Sequence, residues 1–113
     1  MSVTSRLAER ILVPVDRATR ERAALHVLDW VGCAVIGAAS DAGRTLLAWA
    51  KREGDGPCRL IAGGRTSVWT AALVNGAFGN VLEMDDTHRT AILPPGPVVV
   101  PAAFSPSPVV VAA

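Results

Sequence analysis

At 113 residues and 11.7 kDa the chain is one domain at most, long enough for a single modest core. Hydrophobic residues make up 50% and the formal net charge is +1, which excludes a disordered chain and a polyanion-binding surface, so nucleic acid is not an expected partner. The two cysteines, Cys33 and Cys58, lack ligand-like spacing; they argue against a zinc site or a disulfide scaffold and fit a reducing cytoplasm.

Charges at Arg6, Glu9 and Arg10 interrupt the apolar run that a signal peptide needs, so export is not expected. A first helix is predicted from Thr4 or Ser5 to about Val13, with Leu7, Ile11 and Leu12 as its apolar side and Pro14 as its stop. Asp16 then caps a long helix from Arg17 to about Ala39. Arg22, His26, Asp29 and Cys33 form its polar stripe, and Ala24, Val27, Leu28, Val31, Val35 and Ala38 the wider face expected to turn inward. Its second half is small and apolar nearly all round, so other helices should pack against Gly32 and Gly37. His26 reads as a surface or hydrogen-bonded residue ahead of a ligand or catalytic one.

Ser40 or Asp41 caps a third helix carrying Leu46, Leu47, Trp49 and Ala50, closed by Lys51 and Arg52 and stopped at Gly54. GDGPCRLIAGGRTS reads as turn, short extended piece, turn, and Gly63-Gly64 lacks the surroundings of a phosphate-binding loop. Ser67 caps the next helix, whose Ala71, Val74, Phe78 and Val81 face a core.

The candidate site is Asn75 to Pro101, where polar groups crowd into an apolar sequence. If the helix runs on, Asn75, Gly79, Glu83, Asp86 and Thr87 share one face, and Glu83 and Asp86 would raise one another's proton affinity when desolvated. Asp85 would point away, toward His88 and Arg89. A solvated helix end accounts for the same spacing equally well. Asp85, Asp86 and His88 are metal-ligand types, but neighbours on a helix diverge by about 100°, so no metal is expected. Gly76 and Gly79 weaken the helix and imply close approach of a backbone or a ligand. The helix should fail after Arg89, with Pro94, Pro95 and Pro97 making a rigid loop. Pro101 to Phe104 can open another helix, which Pro106 and Pro108 stop. The run Ala91 to Ala113 is uncharged but proline-rich, so no membrane-spanning segment is expected, and Val109 to Ala113 is an apolar tail.

Three pieces, RAALHVLDWVGCAVIGA, AALVNGAFGNVLEMDDTH and the Pro-Gly loop followed by VVVPAA, resemble the N-terminal part of the MmgE/PrpD family, which includes 2-methylcitrate dehydratase, cis-aconitate decarboxylase and iminodisuccinate epimerase. The resemblance implies an all-α chain, the N-terminal portion of the family's helical domain cut off before its α/β domain, with a partial domain over 1–104 and a departing tail over 105–113. It implies a lineage of lyases and isomerases acting on small polycarboxylic acids without a cofactor. The family's active-site acid falls on Glu83 and its threonine on Thr87, the expected catalytic pair. Asp86, His88 and Arg89 are the expected substrate-binding residues, with Asp85 and Asp86 matching the family's paired aspartates. Where the family's loop reads His-Pro-Gly this chain has Pro94-Pro95-Gly96, which removes an imidazole. With that loss, and without the later histidines and lysines of longer relatives, the isolated chain is expected to be inactive. Truncation or a shifted frame after about Ala103 would explain the tail. The alternative is a non-catalytic helical module or gene remnant that associates with itself or with a full-length relative. Replacing Pro94 by histidine should restore an imidazole near Glu83 and Thr87.

Overall fold

The computed structural model describes residues 1–105. The expectations for Pro106, Pro108 and the tail beyond Ser105 lie outside the described residues. Five helices and one short hairpin follow in the order α1 (Val3–Ile11), α2 (Arg17–Ala39), α3 (Asp41–Arg52), β1 (Cys58–Arg59), β2 (Arg65–Thr66), α4 (Val68–Asn80) and α5 (Gly96–Phe104). The fold is mostly helical, not wholly so, because β1 and β2 pair antiparallel with Cys58 opposite Thr66.

Capping sets most helix starts. Ser2 accepts the Ser5 N–H and starts α1 slightly earlier than expected; α1 buries no residue. Asp16 Oδ1 accepts the Thr19 N–H at 2.7 Å and opens α2. Ser40 serves two helices: its hydroxyl donates to the Gly37 carbonyl at 2.6 Å and accepts the Gly43 N–H at 3.0 Å, turning α2 into α3 without a linker. Ser67 accepts the Thr70 N–H and opens α4.

The buried side of α2 corrects the sequence expectation. Trp30, Cys33, Ala34, Gly37 and Ala38 are buried, while Leu28 and Val35 are exposed. The second half of the helix is apolar nearly all round, so close approach decides which face turns in. A Cβ on Gly37 would stand 1.9 Å from the Phe78 carbonyl oxygen, whereas at Gly32 it would meet nothing within 4 Å. Small residues let α4 lie against α2, and the larger aliphatics are left outside. By length and composition α2 is able to cross a membrane. A core helix passes the same test, and α2 packs against α4, α3 and α5.

Two boundaries differ as well. Helix α4 ends at Asn80, where the Glu83 N–H donates to the Asn80 carbonyl at 2.8 Å and Glu83 takes a φ of 51°. The single helical face from Asn75 to Thr87 therefore does not form. Helix α5 begins at Gly96, inside the expected proline loop, because Pro97 fits a first turn, where an N–H has no intrahelical partner. Pro101 sits inside α5 and donates nothing to the Pro97 carbonyl. That carbonyl lies against Gly76, whose added Cβ would be 2.7 Å from it.

The core gathers Trp30, Ala34, Ala50, Cys58, Ala71, Val74, Phe78 and Val100. Asn75 contributes to this framework and not to the site: its side chain accepts the Ile61 N–H and donates to the Arg59 carbonyl, both at 3.0 Å, fastening the hairpin to α4. Gly79 is where Trp30 crosses α4, since a Cβ there would lie 2.3 Å from Trp30 Nε1.

Candidate functional site

The chain between α4 and α5 folds back on itself. His88 N–H donates to the Leu93 carbonyl at 2.9 Å and Ile92 N–H to the His88 carbonyl at 2.8 Å, closing a small loop. Within it the Ala91 N–H donates to His88 Nδ1 at 3.1 Å. A ring nitrogen that accepts a hydrogen bond carries no proton, so neutral His88 bears its proton on Nε2.

Asp86 fixes this loop to two helices. One carboxylate oxygen accepts the Gly96 N–H at 3.0 Å, supplying the N-terminus of α5 with an acceptor, and the other lies 3.5 Å from His26 Nδ1 on α2. Gly96 leaves room for the first contact: a Cβ there would fall 2.6 Å from Asp86 Oδ1 and the carboxylate would have to shift.

Around this clamp opens a cavity of about 620 Å³. Ala23, His26 and Val27 of α2, Asp86 to Thr90 of the loop, and Pro95, Gly96, Val99 and Val100 of α5 line it. Its walls are chiefly apolar, with two imidazoles, the hydroxyls of Thr87 and Thr90 and the Arg89 guanidinium among its polar groups. Among the described residues no carboxylate pairs with Arg89. Asp85, the neighbour expected for it, instead accepts from Asn80 Nδ2 at 3.3 Å. Burial pushes the nearby Cys33 thiol up from its ordinary value, and the charges of Asp29, Asp85 and Asp86 push the same way. No three His, Cys, Asp or Glu side chains converge to hold a metal among the described residues.

Of the expected site residues, Asp86, Thr87, His88 and Arg89 share this cavity. Glu83 is exposed and lines neither it nor the two smaller clefts. Pro94 faces a separate cleft of about 400 Å³ with Gly76, Asn80 and Pro97, so position 94 is not brought to Thr87 as expected; Pro95 is the proline on the cavity wall. His26 is exposed and faces Asp86, as a surface or hydrogen-bonded reading has it; what that reading did not include is its place on the cavity wall. The signal for that was the spacing of four, three and four through Trp30, Cys33 and Gly37, which sets the exposed His26 in line with the buried side of α2.

The MmgE/PrpD N-terminal domain matches residues 8–108. Cis-aconitate decarboxylase of Aspergillus terreus, and the same enzyme of Aspergillus terreus strain NIH 2624 / FGSC A1156, are each 36% identical to this chain over 89 residues, covering 77% of it and 18% of the relative. The chain thus spans less than a fifth of the length of these relatives. No solved structure matches.

Proposed function

The chain belongs to the MmgE/PrpD family, and from that we propose that its cavity is the N-terminal share of a site for small polycarboxylic acids, in a lineage of lyases and isomerases. The observation that carries the reading is the gathering of Thr87, His88 and Arg89 with His26 in one cavity of about 620 Å³. Elimination, decarboxylation or epimerisation of such an acid needs cations for its carboxylates, a base for the proton beside one of them, and an acid for the departing group or new carbon centre. Arg89 offers a fork of donors that matches a carboxylate. His88 offers Nε2–H while Ala91 holds its other nitrogen, and Thr87 offers a hydroxyl.

Asp86 has both oxygens engaged by Gly96 and His26, so its work is to hold the loop, with substrate contact secondary. Glu83 and Thr87 are the catalytic pair by family likeness. Glu83 stands outside the cavity and position 94 carries no imidazole, so the base is not assembled in the isolated chain. Binding without turnover is the consequence. Assays of the chain on cis-aconitate, citrate and methylcitrate should detect no product. Turnover that disappears in Glu83→Gln would overturn the inactive reading and make Glu83 the base.

A further inference from the structure

The two imidazoles on the cavity wall are held in opposite states. Ala91 N–H donates to His88 Nδ1 at 3.1 Å, so neutral His88 carries its proton on Nε2. His26 Nδ1 lies 3.5 Å from one oxygen of Asp86, whose other oxygen accepts the Gly96 N–H at 3.0 Å. A carboxylate beside a ring nitrogen draws the proton to that nitrogen, which assigns Nδ1–H and a bare Nε2 to neutral His26. With Nδ1 turned to Asp86, Nε2 is the nitrogen left for a ligand in the cavity of about 620 Å³ that His26 lines. His88 is therefore a donor, and His26 an acceptor that becomes a second donor on taking up a proton. Protonating His26 keeps its contact with Asp86, whereas protonating His88 at Nδ1 would break its bond to Ala91.

We propose that His26 is a ligand-binding residue of this cavity, which takes up a proton from solvent when a small polycarboxylic acid binds and holds one of its carboxylates through Nε2–H. The proposal rests on the polycarboxylate reading of the cavity, and none of the site residues implied by the family likeness lies on α2. The charges around His26 leave its state to be decided by a bound anion. On its own helix Arg22 and Asp29 stand about one turn to either side. The loop brings Asp86, with His88 and Arg89 on the same cavity, while α4 and α5 carry no charged or titratable side chain. The two arginines and the two aspartates cancel, so the carboxylates of a bound acid tip the balance toward the imidazolium. Asp86 then acts as the positioning residue, fixing which nitrogen of His26 meets the ligand.

The chain has two histidines, so proton NMR of its imidazoles shows two titrating signals, which His26→Gln assigns. Saturating citrate should move the midpoint of the His26 signal to higher pH by about one unit or more, a roughly tenfold preference of the ligand for the protonated form, and that of His88 by less. Binding is then strongest below the raised midpoint and weakens as pH rises through it. In calorimetric titration with citrate, wild-type chain should lose about tenfold or more in affinity between about pH 5.5 and about pH 8 beyond what His26→Gln loses. Citrate's own ionisation is common to both chains and drops out of the comparison. His26 is exposed, so the variant should retain its helical circular dichroism. Citrate binding that depends on Arg89 but leaves the His26 midpoint in place would overturn the inference while the polycarboxylate reading stands. No binding by wild-type chain at either pH would overturn both. A larger shift at His88 than at His26 would reverse the roles of donor and acceptor and overturn the inference as well.

Discussion

The carboxylate of Asp86 faces the imidazole of His26 across 3.5 Å, tying the loop that carries Thr87, His88 and Arg89 to the middle of the longest helix. The contact is an ion pair when His26 is protonated. Removing it by His26→Gln should cost little, since partly exposed pairs contribute about 0.2–1 kcal/mol. Asp86→Ala also strips the acceptor from the Gly96 N–H and should cost about 1 kcal/mol more. Urea unfolding of both single variants and the double variant measures the coupling; additive losses would show that the pair contributes nothing.

Close helix crossings predict an ordered set of glycine substitutions. Gly37→Ala drives a methyl group into the Phe78 carbonyl and Gly79→Ala drives one into Trp30, so each should lose about 1–3 kcal/mol or more. Gly32→Ala meets open space. It should gain up to about 1 kcal/mol from helix propensity alone. A neutral Gly37→Ala would contradict the crossing.

Ile92 is β-branched, exposed, and held at a φ of 51° in the loop after His88. That conformation costs a branched residue about 1 kcal/mol, and asparagine tolerates it better. Ile92→Asn should therefore raise stability by about 0.5–1 kcal/mol. A loss would mean that the loop needs the isoleucine side chain.

Asp16 provides an acid-sensitive cap. The Thr19 backbone N–H, then the Thr19 hydroxyl, hold its carboxyl below the usual 3.8. A depressed folded value means that its contribution is fully present above pH 3.8 and is lost as pH falls through the lower, folded value. Asp16→Asn keeps a capping oxygen and does not titrate. Helicity followed from pH 5 to 2 should show an acid-induced loss in the wild type that is smaller in Asp16→Asn; identical curves would contradict the cap.

Helix starts were legible because each rests on one short-range bond, from Asp16, Ser40 or Ser67 to a backbone N–H three residues on. The end of α4 was not, because it depends on Glu83 entering the left-handed region, which no spacing announces. The inward face of α2 was hidden for another reason. An all-round apolar helix gives amphipathic reasoning nothing to measure, and the choice falls to Gly37 meeting Phe78. Prolines misled at α5, since Pro97 reads as a breaker and acts as a first-turn residue. The DDTH motif and the Pro-Gly loop were visible, but not that Asp86 joins the two through Gly96, nor that His26 closes the same cavity. Those contacts exist only once α2, the loop and α5 have come together.

The central claim, that this cavity receives a polycarboxylate through Arg89, is tested most directly by calorimetric titration with citrate and cis-aconitate. Wild-type chain should bind, and Arg89→Ala should bind about tenfold to a hundredfold more weakly, the loss of a charge-assisted hydrogen-bonded contact. Pro94→His should match the wild type, because position 94 faces the other cleft. Equal binding by wild type and Arg89→Ala, or binding that emerges only in Pro94→His, would contradict the account.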